Sequence, residues 1–178
     1  MQNSTSTIVA LFVACVMVFV VPVVTLTDRN DNVAQENVKL IVEEFVTDIK
    51  NTGELTTAKY QDFENRLAAT GNAYNIEMEI QHLDENPGKK LSQANYTKIG
   101  ENVYYSEYTT QILKKILTTN GTQATISLKE GDLIYVQVTN DNSTAAQTLK
   151  GSFLNVSNEG EEVIKANSSG MVNANGEN

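Results

Sequence analysis

An uninterrupted apolar run near the N-terminus constrains this chain more than any other feature. Residues 8–26 read IVALFVACVMVFVVPVVTL and carry no charge. As an α-helix, these nineteen residues extend about 28 Å, which is close to the hydrocarbon thickness of a bilayer. The rest of the chain is polar and acidic, and its length suits one domain with its own core. We therefore expect one membrane-spanning helix that carries one folded domain.

A cleaved secretory signal is the alternative explanation of this run. Such signals have basic residues before a shorter apolar core and small residues at the cleavage site. Residues 1–7 contain neither Lys nor Arg, and residues 23–27 lack an Ala-x-Ala pattern, so the sequence favours a retained anchor. Pro22 lacks the backbone N–H and should kink the helix. The residues expected to form the membrane or assembly helix include Ile8, Leu11, Phe12, Val16, Phe19, Pro22 and Leu26.

The flanks of the run and the cysteine content bear on localisation. The positive-inside rule counts Lys and Arg, and neither occurs before the run, while Arg29 stands among acidic residues after it. We therefore expect the N-terminus in the cytoplasm and the domain outside the cell membrane. Cys15 is the only cysteine, so no disulfide can form within the chain, as is typical of bacterial or archaeal surfaces. Cys15 itself fits a small apolar residue better than a lipoprotein site, because the apolar run continues after it.

Charge and motif content argue against several functional classes. The formal net charge is −9, which disfavours binding of nucleic acid. The chain has neither a phosphate-binding P-loop nor a Gly-x-Gly-x-x-Gly motif, so nucleotide binding lacks support. It also has a single histidine, His82, and no Gly-x-Ser-x-Gly elbow. We therefore expect no enzyme activity, no cofactor and no metal site.

After the apolar run, apolar residues recur at intervals of three and four, which predicts one stripe of an amphipathic helix. We expect this stalk helix to follow the membrane helix after at most a short break, and to end at Asn51, Thr52 and Gly53. The stripe that should pack on the domain consists of Val38, Ile41, Val42, Phe45 and Ile49.

The remaining pattern combines short helices and strands. Residues 57–69 predict a helix capped by Thr56 or Thr57. The alternation of residues 74–82 predicts a half-buried strand with Glu77 and Glu79 on its solvent side. Further helices are expected at residues 106–119 and 144–150. Strands are expected at residues 122–128 and 133–139, joined by a hairpin turn, and at 153–156 and 162–165.

These elements predict an α+β fold in which a transmembrane helix continues into a stalk helix, packed with further helices on a small antiparallel sheet. The expected organisation has four parts: a short tail (residues 1–7), the transmembrane helix (8–26), an extracytoplasmic α+β domain (27–167) and a flexible polar tail (168–178).

Three groups of residues could suggest binding sites. His82 continues the apolar side of its strand, which is typical of a half-buried structural histidine. Asp28, Asn30 and Asn32 copy the opening of a calcium loop, but the glycine and the closing glutamate of an EF-hand are missing. The tyrosines 96, 104, 105 and 108 cluster in sequence, and we expect a helix edge or core rather than a sugar platform.

Residues 45–80 resemble TadE-like or minor-pilin-like single-pass proteins of Gram-positive bacteria. The resemblance rests on Thr-Gly pairs at 52–53 and 70–71, on Tyr60 and on Tyr74. It continues at residues 128–132, 136–140 and 146–149, and in Gly170-Met171. The short uncharged leader and the Asn-rich C-terminus depart from the family pattern. Such proteins accompany Tad (Flp) pili or type II/IV secretion-like machinery.

The resemblance implies a non-catalytic structural or assembly component of a pilus or secretion apparatus. Its expected partners are the lipid bilayer and either other pilus or secretion membrane proteins or copies of itself. A surface filament is the alternative to a location in the cell membrane alone. The alternative is a stand-alone, membrane-anchored domain that binds a cell-wall polymer or a partner protein.

Overall fold

The structure, a computed structural model, describes residues 2–84, 104–117, 124–154 and 164–176. The expected α+β class is confirmed: a long apolar N-terminal helix and further helices combine with small antiparallel sheets. The helices are α1 (Gln2–Thr52), α2 (Thr57–Ala68), α3 (Thr109–Leu117) and α4 (Ala145–Leu154). The strands are β1 (Glu54–Thr56), β2 (Tyr74–Leu83), β3 (Tyr104–Tyr108), β4 (Thr125–Ser127), β5 (Leu133–Asn140) and β6 (Lys165–Met171).

Helix α1 is a single helix of 51 residues that enters the domain without interruption. No break separates its two halves, in agreement with the expectation of at most a short one, since residues 27–32 contain neither Gly nor Pro; the helix also continues through Pro22. It ends at Gly53, whose φ of 68° is a left-handed conformation that glycine adopts without strain. The Gly53 N–H donates to the carbonyl of Ile49 at 2.8 Å.

The second half of α1, residues 27–52, forms the centre of the core. All five residues of the predicted stripe are buried, together with Ala34 and Val46. The ring of Phe45 stacks on Phe63 of α2, with centroids 4.1 Å apart. Helix α2 begins where Thr56 accepts a hydrogen bond from the Lys59 N–H, which selects Thr56 between the two expected caps.

Four antiparallel strands form the main sheet in the order β3-β2-β5-β6. Its inner face packs against α1 and α3 through residues that include Met78, Ile80, Ile134, Val136 and Ala166. Side chains alternate across a strand, so the opposite side is formed by the odd-numbered residues of β2, β5 and β6 and the even-numbered residues of β3. We call this side the outer face, and no helix of the described chain packs on it.

Two predicted elements are wrong, one in its pairing strand and the other in its first residue. Strand β4 does not form a hairpin with β5 but pairs with β1 in a separate two-stranded sheet. The cause is a contact distant in sequence, since the Leu128 N–H donates to the carbonyl of Gly53 at 2.7 Å. The third helix begins at Thr109 rather than at residue 106, because residues 104–108 pair with β2 as an edge strand.

The C-terminal prediction also needs correction. Phe153 lies in α4 rather than in a strand, and residues 155–163 lie outside the described ranges. The expected flexible tail from residue 168 is instead the second half of β6, followed by Val172, which is buried. Pairing with β5 overrides the low strand propensity of this Asn- and Ser-rich segment. The Asn173 N–H then donates to the carbonyl of Lys50 at 2.9 Å.

Two polar contacts fix α1 where it enters the domain. The Thr144 hydroxyl donates to the Asp31 carboxylate at 2.6 Å, and both side chains are buried. Thr144 also caps α4 in a reciprocal arrangement with Gln147. The Gln35 amide donates to the Lys165 carbonyl at 2.6 Å and accepts from the Lys165 N–H at 2.8 Å. The second half of α1 therefore runs alongside β6, with polar contacts near both of its ends.

Candidate functional sites: the apolar half of α1 and the His82 pocket

All seven residues predicted for the membrane or assembly helix lie in the first half of α1, and all are exposed. Phe12 and Phe19 expose 69% and 68% of their surface, and none of the most apolar window of the helix is buried in the protein. A soluble monomer rarely exposes so large a continuous apolar surface. The chain thus has one N-terminal helix long and apolar enough to span a membrane.

The polar side chains at the end of this apolar half have their hydrogen bonds within the helix. The Thr25 hydroxyl donates to the carbonyl of Val21 at 2.9 Å, and the Thr27 hydroxyl donates to the carbonyl of Val24 at 2.8 Å. Such bonds satisfy hydroxyl groups where water is absent. The first buried side chain of α1 is Asp31, about 8 Å beyond Leu26 along the helix. The folded domain therefore begins almost where the apolar surface ends.

A polar cavity of about 590 Å³ lies at the opposite end of the domain, near the C-terminal end of β2. His82 lines this cavity; its side chain lies on the inner side of the strand and is only 14% exposed. Asp132 is buried and accepts three hydrogen bonds, from the N–H groups of Leu83 and Lys129 at 2.8 and 3.0 Å and from His82 Nδ1 at 3.0 Å. Because a carboxylate accepts hydrogen bonds, we place a proton on Nδ1 of His82.

The other ring nitrogen of His82 faces a second carboxylate. Nε2 lies 3.8 Å from Oε2 of Glu107, which is beyond hydrogen-bond distance. Glu107 is itself held by Lys115, whose Nζ lies 2.5 and 2.6 Å from its two oxygens. The ring of Tyr105 stacks on His82, with centroids 5.0 Å apart.

This geometry favours a structural role for His82. An Asp–His pair can orient a general base, but no hydroxyl in the described ranges hydrogen-bonds to Nε2 of His82. The described residues also contain no group of three side chains placed to hold a metal ion. Through Asp132, the network ties the turn before β5 to the end of β2. Asp132 was not among the predicted site residues, because its only local signal is an acidic residue that closes a Gly-containing turn.

The structure separates the predicted tyrosine cluster. Tyr105 lies on the inner side of β3, Tyr104 and Tyr108 belong to the outer face, and Tyr96 lies outside the described ranges. On the outer face, side-chain hydrogen bonds from Gln81 and Ser106 lower the pKa of Glu79 below its ordinary value, against a smaller effect of burial.

The remaining sequence candidate is part of α1. Asp28, Asn30 and Asn32 lie on continuous helix, which is incompatible with a calcium-binding loop.

Comparison with known proteins finds no matching family model, no matching curated protein and no matching solved structure.

Proposed function

We propose that this chain is a membrane-anchored, non-catalytic structural or assembly component of a pilus or secretion apparatus. The observation that carries the proposal is the division of α1. Its first half is apolar around the whole circumference and exposed, while its second half is a central element of the domain core. One rigid element therefore joins a surface that needs lipid or apolar helices to a folded domain.

The physical case for the membrane rests on the composition of the first half of α1. Each Leu, Ile, Val or Phe near the centre of a bilayer favours insertion by roughly 0.3 to 0.6 kcal/mol, and no charged residue opposes it. The short N-terminus would remain in the cytoplasm. The acidic domain would then stand directly on the outer surface of the cell membrane.

The case for assembly rests on rigidity and on the resemblance to TadE-like proteins. Helix α1 has no loop between its exposed half and the domain. Contacts made by the apolar half with neighbouring helices would therefore fix the orientation of the domain. This is useful in a filament or a secretion platform, where copies or partner membrane proteins must hold defined positions.

Two measurements on the native host test the proposal. The first is the intact mass of the chain, taken separately from membranes and from sheared surface material. The second replaces residues 8–26 by an unrelated transmembrane segment. We expect wild-type protein to co-fractionate with filaments or a secretion complex, and the replacement to stay in the membrane but leave the complex. A stand-alone anchored binding domain is the correct description if the wild type forms no complex and the replacement still binds a cell-wall polymer or partner protein as the wild type does.

A further inference from the structure

The outer face of the main sheet has an ordered arrangement of aromatic and acidic side chains. Register places Tyr108, Glu79, Tyr135 and Ser169 in one row across the four strands. Glu79 therefore stands between two tyrosines, each one strand away and about 5 Å distant. The tyrosine side chains are exposed, at 58% for Tyr108 and 36% for Tyr135. A cavity of about 360 Å³ lies beside this row, lined in part by Glu79, Gln81, Tyr135 and Ser169.

Glu79 is held in one orientation with one oxygen open. Its Oε1 accepts hydrogen bonds from Gln81 Nε2 at 2.9 Å and from the Ser106 hydroxyl at 2.7 Å. Its Oε2 accepts no hydrogen bond from the described part of the chain. The two donors also lower the pKa of the carboxyl, so it is ionised at neutral pH. The result is a fixed negative acceptor on an otherwise flat surface.

The neighbouring row adds further acceptors. Glu77 receives only long contacts, 3.4 Å from Asn75 Nδ2 and 3.5 Å from Gln137 Nε2. The Tyr135 hydroxyl is already used as a donor to Gln137 Oε1 at 2.7 Å. Among the described residues, Lys165 is the only basic residue of the outer face, at its far corner beside Thr139. Within the described residues, the centre of the face thus carries a negative charge that no basic side chain of the face compensates.

We propose that the outer face binds a glycan that carries free primary amines, with an ammonium group on Glu79 Oε2 between Tyr108 and Tyr135. The ammonium group complements the carboxylate, and a cation over the face of a neighbouring tyrosine ring gains cation–π attraction. The hydroxyl groups of the same sugar supply donors to Glu77. This inference goes beyond the proposed assembly function and holds whether or not that function is correct.

Three features of the site select this ligand class. A guanidinium group prefers both oxygens of a carboxylate, but Oε1 of Glu79 is already occupied, so a compact ammonium fits better. A polyanion would be repelled by Glu77 and Glu79. An amino sugar presents its ammonium and hydroxyl donors on one rigid ring, which lowers the entropy cost of binding.

The test is calorimetric titration of the full chain, in detergent micelles, with a hexamer of glucosamine. The matched probe is the hexamer of N-acetylglucosamine, which has the same backbone without the amines. Three variants are compared: Glu79→Gln, Tyr108→Ala and, as the control for net charge, Glu43→Gln, which changes an exposed residue of α1. Circular dichroism checks that each variant is folded. The carboxyl carbon resonance of Glu79 in the wild type gives a readout that needs no variant.

We expect saturable binding of the glucosamine hexamer that weakens about tenfold or more in Glu79→Gln, because a hydrogen bond to a charged group is lost. Tyr108→Ala should weaken binding less, and Glu43→Gln should leave it unchanged. The N-acetylated hexamer should bind at least tenfold more weakly than the free amine. The proposal is overturned if the glucosamine hexamer does not bind, or if both hexamers bind equally. Equal losses in Glu79→Gln and Glu43→Gln, an unshifted Glu79 resonance, or binding of tetralysine alone would overturn it as well.

Discussion

The two halves of α1 contain similar apolar residues and meet different surroundings. Val16 in the first half is 37% exposed, whereas Val38 in the second half is fully buried. In the second half the buried apolar residues form one stripe, and the sheet and α2 cover it. In the first half they surround the helix, and no part of the described domain covers them. The difference teaches that an apolar stripe is satisfied by a protein core, whereas an apolar circumference needs a bilayer or other helices.

The largest effect is expected when charge is placed in the apolar half of α1. The double variant Val16→Asp/Phe19→Asp should lose its membrane association, because each Asp near the centre of a spanning helix costs about 3 kcal/mol. The measurement is the fraction that stays with membranes after an alkaline carbonate wash. Leu40→Asp, an exposed position in the second half, should behave like the wild type. Retention of the double variant, or release of Leu40→Asp, would contradict the division of α1.

A substitution in the buried stripe of the second half should destabilise the folded domain without affecting the apolar half. Phe45→Ala should lower the free energy of unfolding by about 3 to 5 kcal/mol, since it removes a buried ring that stacks on Phe63. Membrane association should be unchanged. Chemical denaturation in micelles, followed by circular dichroism, gives the stability. Leu40→Ala is the control and should stay within about 0.5 kcal/mol of the wild type. Similar losses in both variants would mean that the stripe does not define the core.

A smaller effect is expected at the boundary between the halves. Thr144→Val removes the hydroxyl that donates to the buried Asp31 and that caps α4. We expect a loss of about 1 to 3 kcal/mol in stability, because Asp31 is left without this donor. Gln147→Ala, which removes only the reciprocal cap, should cost less. If both variants lose the same amount, the contact with α1 contributes nothing.

The smallest effect concerns pH and the exclusion of water from the core around the second half of α1. Tyr60 of α2 is buried, and desolvation raises the pKa of its hydroxyl, with Glu64 adding by charge and by a hydrogen bond. A raised pKa in the folded state means that stability is complete below the unfolded pKa of about 10 and falls as pH rises above it. Thermal melts across this alkaline range should show a steeper decline in the wild type than in Tyr60→Phe. If the stability of both proteins declines in parallel, the Tyr60 hydroxyl is solvated in the folded state, which contradicts its burial.

Local sequence patterns predicted one part of this fold, and contacts distant in sequence decided the rest. The stripe of α1 and the alternation of β2 are visible because each depends on spacing within one element. The partner of β4 is β1, about 70 residues earlier, and the turn residues before β5 suggested a hairpin instead. Strand β6 is rich in Asn and Ser and becomes a strand only because β5 is beside it.

The candidate sites follow the same rule. The exposed apolar helix was predicted because an unbroken run is a local signal. His82 was correctly expected to be half-buried on its strand, but its partner Asp132 is 50 residues away. The tyrosines at 104, 105 and 108 looked like one cluster, and alternation on β3 divides them between two faces. Tyr135 joins Tyr108 beside Glu79 only through the register of three strands.

The most direct test of the divided helix uses the native cysteine. Cys15 in the first half and Leu40 in the second are both exposed in the fold, so a bilayer or packing against other helices must account for any difference between them. Intact cells are treated with a membrane-impermeant maleimide, comparing the wild type with a Cys15→Ala/Leu40→Cys variant. Labelling in denaturing detergent verifies that each cysteine is present. We predict that the variant is labelled on cells and the wild type is not. Labelling of Cys15 on intact cells would show that the first half of α1 lies in water and would contradict the account.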